Sequence, residues 1–208
     1  MLTSLQQERR QVWCTEHTNF DWRSTVFTDE TYIEAVGSRS TRWHKKGSRP
    51  ICPRPKHPVK LMFWAAISVE SRSDLYSFSG TMTGARYVEL LGGEFLSKFR
   101  RLFGVNAVFQ QDNAPAHTSR TAKSFFEEHH IDVLPWPSNS PDLNPIENMW
   151  SILKERVSRR SPRTKQELET IAKEEWLAIP QSIIAATIES MPRRIAQVVS
   201  RNGQKCDY

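Results

Sequence analysis

Two carboxylates, Asp112 and Glu147, stand in one stretch of the chain with 34 residues between them. Asp112 follows a short apolar run, residues 105–109, and two glutamines, whereas Glu147 stands just inside a helix start that Asn144 can cap. A third acid, Asp29, ends another strand-like run. Three acids delivered by three separate elements indicate a metal site for phosphate chemistry, because oxygen-only ligands suit Mg²⁺ or Mn²⁺.

A site of this kind would take two cations. Two such ions, about 3.5–4 Å apart, clamp the attacking and leaving oxygens of an in-line phosphoryl displacement. One ion lowers the pKa of the attacking water or 3′-hydroxyl, and the other stabilises the departing 3′-oxygen. Carboxylates shared between the ions also offset the repulsion between the two cations. The predicted cofactor is therefore a pair of Mg²⁺ ions, for which Mn²⁺ can substitute.

Each acid also has a purely structural interpretation. Glu147 can complete a capping box with Asn144, three residues before it. Asp112 can be a turn residue before Asn113, and His117 is more often a hydrogen-bonded loop histidine than a ligand. The sequence holds no zinc-ligand pair, no phosphate-binding glycine loop and no serine or cysteine triad. Residue types and spacing therefore leave a metal nuclease and a set of structural acids both open.

The strand that carries the first acid leaves a further question open. Side chains alternate along a strand, so Asp29 and its neighbour Glu30 face opposite sides of the sheet. Periodicity alone does not decide which of the two acids points inward. An exposed acid at the end of a strand is the commoner case, so this signal is weak by itself.

The elements that must position the acids form an α/β pattern. Period and composition predict five strands and several helices, the strands over residues 24–30, 59–68, 74–79, 106–111 and 131–136. If the first and fourth strands are adjacent and parallel, Asp29 and Asp112 emerge at the same edge of the sheet. Helices are predicted over residues 1–20, 83–103 and 118–130, from Asn144 onward, and in three further segments of the C-terminal part.

The helix after Asn144 is predicted to be anchored by one apolar face. The members of that face recur at helical spacing: Ile146, Met149, Trp150, Leu153 and Val157. At about 100° per residue, Glu147 flanks this stripe on the side of Lys154. Glu147 can therefore reach a cleft beside the sheet while its neighbours hold the helix in place.

Positive charge is concentrated in one segment. The net charge is +6, and eight Lys or Arg with no acid fall between Arg39 and Lys60. Residues 31–58 have no clean period, and so long an excursion is usually functional or disordered. Dense positive charge favours a polyanion partner, because each neutralised phosphate releases counterions; a solvated basic loop is the alternative. The candidate phosphate contacts are Lys45, Lys46, Arg49 and Arg54, together with Lys154.

Composition places limits on the class of protein. At 208 residues the chain is long enough for one domain with a substantial core. No run approaches the roughly 18 apolar residues needed to span a membrane, and no signal-peptide segment is recognisable. Three scattered cysteines without metal spacing favour a reduced, intracellular compartment.

Four strings carry a resemblance to a known family: TVFTDE, QQDNAPAH, WPSNSPDLNPIENMW and SMPRRI. Together with the gap of 34 residues between Asp112 and Glu147, they resemble the catalytic domain of Tc/mariner superfamily transposases, in the Tc-like branch. The resemblance covers the chain from about Trp13 to Tyr208. Ala65 departs from the glycine that relatives often carry at that strand position, which we expect to be harmless.

This resemblance implies a ribonuclease-H-like fold, a mixed five-stranded sheet flanked by helices with extra C-terminal helices. It implies that Asp29, Asp112 and Glu147 form a DDE triad that is both catalytic and metal-binding, with the two aspartates bridging the metals. Its implied activity is metal-dependent DNA strand cleavage and strand transfer without a covalent protein–DNA intermediate. The implied partners are transposon ends and target DNA, typically at TA, and the implied compartment is the nucleus.

The expected organisation follows from the same resemblance. Residues 1–20 form a helical lead-in, residues 21–160 the catalytic domain and residues 161–208 a helical extension of that domain. The basic insertion, residues 31–58, falls where mariner relatives carry a loop that clamps a partner subunit, which implies a homodimer. Family members also carry N-terminal helix-turn-helix modules, and we expect this chain to lack them.

Two other functions remain open at this stage. A non-catalytic remnant that only binds DNA or dimerises is consistent with the expected lack of recognition modules, although the three acids are all present. A ribonuclease-H-type nuclease acting on hybrid substrates is the third possibility. Activity on DNA duplexes alone would exclude the last of these.

Overall fold

The computed structural model describes residues 2–35 and 59–207. A mixed sheet lies at its centre, with strands β1 Thr25–Glu34, β2 Lys60–Ile67, β3 Tyr76–Phe78, β4 Val108–Gln110 and β5 Val133–Leu134. Their spatial order is β3-β2-β1-β4-β5. The β3–β2 and β2–β1 pairs are antiparallel, whereas β1–β4 and β4–β5 are parallel. The predicted five-stranded mixed sheet is confirmed, and the first and fourth strands are adjacent and parallel.

Helices cover both faces of the sheet. In chain order they are α1 Ser4–Glu16, α2 Gly84–Leu90, α3 Leu96–Phe103, α4 Arg120–Glu128, α5 Ile146–Arg160, α6 Lys165–Leu177, α7 Gln181–Ile188 and α8 Met191–Ser200. The three helices after α5 correspond to the three helical segments predicted in the C-terminal part. None of the helices in the described ranges combines the length and the apolar character that crossing a bilayer requires.

Two cores lie on opposite faces of the sheet because side chains alternate along β1 and β2. On one face, Phe27 and Phe63 pack with the aromatic residues of α5 and α6, among them Trp150 and Trp176. On the other face, Val26, Trp64 and Phe109 pack against α2, α3 and α4. The alternation also places two neighbouring acids of β1 on opposite faces: Asp29 lies on the α5 side, and Glu30 lies on the α4 side.

The first strand is longer than predicted. Residues 31–34, expected to open the basic insertion, continue β1, and Thr31 pairs with Phe63 of β2. The physical reason is a period of two, since Thr31 and Ile33 are buried whereas Tyr32 is exposed. The insertion therefore begins after the strand. Its four candidate phosphate contacts, Lys45, Lys46, Arg49 and Arg54, lie outside the described residues.

Several other boundaries differ from the prediction. The helix expected over residues 83–103 is divided by a π-helical turn, Leu91–Phe95, in which Gly93 leaves helical geometry with φ −77° and ψ −136°. Gly92 and Gly93 both lie in this turn, and glycine lowers helix stability. The last strand is limited to Val133–Leu134 because Pro135 follows and cannot donate to the ladder. Likewise, β3 and β4 are each three residues long.

Candidate active site

Asp29 lies on β1 and faces α5. The parallel register pairs Phe27 with Gln110, so Asp29 stands two positions beyond a paired residue. Its Oδ2 accepts a hydrogen bond of 3.0 Å from Nε1 of Trp150, which is buried on α5. Burial, followed by the negative charges of Glu147 and Glu30, raises the pKa of Asp29 from 3.8 to about 8. Asp29 is therefore an inward-facing acid that is costly to ionise.

Asp112 stands two residues beyond β4, at the same edge of the sheet as Asp29. Its Oδ1 accepts hydrogen bonds from the backbone N–H of Ala114, at 2.8 Å, and from Nδ1 of His117, at 2.6 Å. Partial burial would raise the pKa of Asp112, but these two hydrogen bonds outweigh it and leave that pKa below its ordinary value. Asp112 is thus a turn residue, as its structural interpretation predicted, and also an acid held in its ionised form.

His117 connects two carboxylates. Its ring is buried, with Nδ1 at Asp112 and Nε2 3.1 Å from Oε1 of Glu30, and it packs on the ring of Tyr87 at 4.2 Å. Burial lowers the pKa of His117, but the hydrogen bonds to the two carboxylates outweigh it and raise that pKa to about 10. The prediction of a hydrogen-bonded loop histidine is confirmed. The pairing with Glu30 was missed, because 87 positions separate the two residues.

Glu147 lies in the first turn of α5, whose predicted apolar face is buried along its whole length. The helix begins at Ile146, one residue later than predicted, because Pro145 lies at the cap position. The backbone N–H of Asn144 donates to the carbonyl of Pro141 at 3.0 Å, so the alternative of a capping box with Glu147 is not formed. Burial raises the pKa of Glu147, and the charge of Lys154 opposes that rise.

The three predicted acids meet at one cavity of about 440 Å³. Asp29, Asp112 and Glu147 all line it, and the rest of its wall comes from Asn113, Ala114, Asn144 and residues 136–141. A larger cavity of about 710 Å³ adjoins it between α4 and β5 and includes Asp112 but neither of the other two acids. Chemistry that needs all three acids therefore belongs to the smaller cavity.

The donor set of this cavity suits a divalent cation. Within residues 2–35 and 59–207, no group of three or more His, Cys, Asp or Glu side chains is arranged to hold a metal ion. The acids nevertheless repel one another, since the charge of Glu147 helps to raise the pKa of Asp29. A cation placed between them would remove this repulsion, and carboxylate oxygens are the ligands that Mg²⁺ and Mn²⁺ prefer. The residues present therefore fit such an ion.

Lys154 is the predicted DNA contact that the structure describes. It is an exposed residue of α5, seven positions after Glu147, which corresponds to two helical turns on the same side. Its charge acts on Glu147, so it lies near that acid. Lys154 could therefore contact a phosphate that approaches the acids.

The family of this chain follows from matches of its sequence to a family model and to known proteins. The family described as DDE superfamily endonuclease matches residues 24–169, which include all three acids. This chain belongs to that family. The transposase of transposable element Tcb1 of Caenorhabditis briggsae is 32% identical over 219 residues, covering 100% of this chain and 80% of that protein. The Tc1 transposase of Caenorhabditis elegans is 32% identical over 209 residues, covering 96% and 77%.

The predicted resemblance to Tc/mariner transposases is thereby confirmed, and this DDE superfamily member is a transposase catalytic domain of the Tc1/mariner type. Solved structures agree in fold. A Mos1 transposase paired-end complex with left transposon end has a TM-score of 0.87 at 21% identity, over 100% of this chain and 65% of that chain. The catalytic domain of Mos1 mariner transposase has a TM-score of 0.81 at 20% identity, over 98% of that chain.

The match to the isolated Mos1 catalytic domain confirms the predicted ribonuclease-H-like fold. Because the identities are low, these structures establish the fold alone. This DDE superfamily member spans about two thirds of the Mos1 chain in the paired-end complexes, 65% in the first of them. Mos1 paired-end complexes have been solved with Mn and with Mg.

Proposed function

We propose that this chain is a metal-dependent DNA transposase domain that cleaves strands at transposon ends and transfers the free 3′ ends to target DNA. The observation that carries the proposal is the convergence of Asp29, Asp112 and Glu147, from β1, β4 and α5, on one cavity. Membership of the DDE superfamily of endonucleases supports a catalytic role for this set of acids.

The three side chains differ in what they offer to a cation. Asp112 is ionised and has Oδ1 engaged by His117 and Ala114, which leaves its second oxygen without a hydrogen bond from the described residues. Asp29 has Oδ2 engaged by Trp150, and the carboxylate of Glu147 accepts no hydrogen bond from the described residues. Asp29, Asp112 and Glu147 would hold two Mg²⁺ ions, which Mn²⁺ could replace. When bound, such ions lower the pKa of the attacking water or 3′-hydroxyl and stabilise the departing oxygen.

We further propose DNA as the substrate, with transposon ends and a target that is typically TA. The net charge of +6 and the position of Lys154 beside the acids support a polyanion partner. The Mos1 paired-end complexes, which contain transposon DNA, support the same partner class. Homodimer formation through the basic insertion and action in the nucleus belong to this proposal as well, as do phosphate contacts by Lys45, Lys46, Arg49 and Arg54.

The experiment is a nicking assay on supercoiled DNA with Mg²⁺ or Mn²⁺. Wild type should nick, and Asp112→Asn should lose the activity because one negative ligand becomes neutral. Asp74→Asn, which changes an exposed carboxylate before β3, is the matched control and should nick like wild type. Equal cleavage by wild type and Asp112→Asn would remove Asp112 from the mechanism. Cleavage of RNA–DNA hybrids alone would favour the ribonuclease-H-type nuclease instead.

One observation favours the second candidate function, a non-catalytic remnant that binds DNA or dimerises. The acids line a common cavity, but those within the described ranges do not form a ready metal-binding group. A remnant would bind DNA with a steep salt dependence and without cleavage. Titration of Mg²⁺ and Mn²⁺ in the presence of a DNA duplex separates the two functions, since absence of binding would favour the remnant.

A further inference from the structure

A small group of buried polar side chains adjoins the acid cavity. Thr28, Gln110 and Asn144 are 2%, 0% and 5% exposed. They stand one, two and three positions before the three acids in the sequence. A buried polar residue therefore stands shortly before each acid in the sequence. Buried polar groups are costly unless they are hydrogen-bonded, so their partners matter.

Two of these residues join the neighbouring strands. Oγ1 of Thr28 donates to the carbonyl of Gln110 at 2.8 Å, and the backbone N–H of Thr28 donates to Oε1 of Gln110 at 3.3 Å. The hydrogen bonds lie where the regular β1–β4 ladder ends. They continue the connection between the strands up to the level of the first two acids.

Asn144 joins β1 to the start of α5. Its Nδ2 donates to the carbonyl of Thr28 at 3.1 Å, and its Oδ1 accepts from the backbone N–H of Ile146 at 3.3 Å. A single buried side chain thus spans from the residue before Asp29 to the residue before Glu147. Both of its contacts are to backbone atoms, so they constrain the course of the two elements.

The carboxylate of Glu147 depends on this connection more than the other two acids do. Asp29 accepts a hydrogen bond from Trp150, and Asp112 accepts two. No hydrogen bond from the described residues reaches the Glu147 carboxylate, so the start of α5 determines where it lies. We propose that Asn144 is a positioning residue that fixes Glu147 relative to Asp29 for cation binding. This inference rests on the proposed function, because it concerns the same cavity.

The test measures binding of Mn²⁺ alone, with free Mn²⁺ followed by electron paramagnetic resonance. Removing an outer residue that orients a ligand typically weakens metal affinity by about 10- to 100-fold, and we expect a loss in that range for Asn144→Ala. In the nicking assay the metal concentration for half-maximal rate should rise, while the KM for DNA stays unchanged. A residue that only stabilised the fold would move neither quantity.

Asn148→Ala is the matched control. Asn148 is an asparagine of the same helix, and its Oδ1 accepts from Nη2 of Arg194 at 2.7 Å, away from β1. It should keep the Mn²⁺ affinity of wild type even where its melting temperature falls. Asn144→Ser is the second variant, since a hydroxyl can still accept from Ile146 but cannot reach Thr28 as the amide does. We expect it to fold and to bind Mn²⁺ as weakly as Asn144→Ala.

The outcomes separate this inference from the function on which it rests. Wild-type affinity in Asn144→Ser overturns the positioning role while the proposed function stands. Failure of both Asn144 variants to fold, under conditions in which Asn148→Ala folds, also overturns it, because Asn144 would then be a determinant of folding. A wild type that binds no Mn²⁺, alone or with a DNA duplex, overturns the proposed function together with the inference.

Discussion

The acid that is hardest to ionise gives the sharpest prediction. Asp29→Asn preserves the size of the side chain and leaves an oxygen that Trp150 can still contact. It removes a negative charge that burial and the charge of Glu147 both disfavour. We therefore expect the metal-free variant to be more stable than wild type at neutral and alkaline pH, although the change should abolish cleavage.

The sign of the pH dependence follows from the direction of the shift. The pKa of Asp29 is 3.8 in the unfolded chain and about 8 in the folded protein. A raised pKa means that the folded protein binds the proton more tightly, so wild type loses stability as the pH rises from the lower value to the higher. Asparagine has no proton to lose. The stability gap between variant and wild type should therefore open above pH 4, widen as the pH rises and be constant above about pH 8.

The size of the gap is limited by the cavity. Each pKa unit corresponds to about 1.4 kcal/mol, so the full difference would be about 6 kcal/mol for a completely buried group. Asp29 keeps part of its surface open to the cavity, where water screens its charge. Screening reduces the stability gap and, because linkage ties the two together, also the pH range over which the gap opens; we expect a gap on the order of 2 kcal/mol. For a domain of this size, that corresponds to about 4–8 °C in melting temperature.

The assay is thermal unfolding in EDTA across this pH range, with Asp74→Asn as a control for loss of an exposed carboxylate. Mg²⁺ should then reverse the order of stability, because it binds the folded wild type but not Asp29→Asn. At about 100 times its Kd, a ligand that binds only the folded state adds about 2.7 kcal/mol. A stability gap that does not change with pH, or a metal-free wild type that is the more stable protein at pH 8, would refute this reasoning.

Three further predictions concern other buried groups. His117→Ala should lower the nicking rate by about 10- to 100-fold, because Asp112 loses the partner that orients it, and a rate equal to that of wild type would contradict this. Arg10→Met should lower the free energy of unfolding by about 3–5 kcal/mol in urea titrations, since it leaves the carboxylate of Asp142 buried without its bidentate partner. Burial raises the pKa of the Cys206 thiol to about 12; iodoacetamide should therefore modify Cys206 in the denatured but not the native protein, as peptide mass spectrometry can show.

The positions of the acids along the elements could be predicted from the sequence because local patterns determine them. The β-branched and aromatic run before Asp29 defines a strand, and the apolar stripe of α5 leaves Glu147 on its flank. The continuation of β1 to Glu34 was missed because Thr31 and Glu34 enclose only two apolar residues, Tyr32 and Ile33, and a basic segment follows. The period of two appears in the burial of these residues, but their polarity does not follow it.

The contacts that tune the acids could not be predicted, because they join residues distant in the sequence. Trp150 lies 121 positions from Asp29, and His117 lies 87 positions from Glu30. Strand alternation required Asp29 and Glu30 to face opposite sides of the sheet. Which acid meets Trp150 and which meets His117 is decided by the packing of α5 and of the loop after β4. His117 stands five residues after Asp112 in the sequence, close enough for its ring to pair with that carboxylate. This spacing could have identified His117 as a partner of Asp112.

The three acids are held in two different ways, and this difference determines how the cavity responds to change. Asp112 is held by its own loop, through contacts two and five residues away. Asp29 and Glu147 instead both depend on α5, since Trp150 contacts Asp29 from the turn that follows Glu147. A displacement of α5 therefore alters two acids together and leaves Asp112 in place. Substitutions at the buried face of this helix should consequently impair metal binding more than equally destabilising substitutions in α4, where only the loop of Asp112 adjoins.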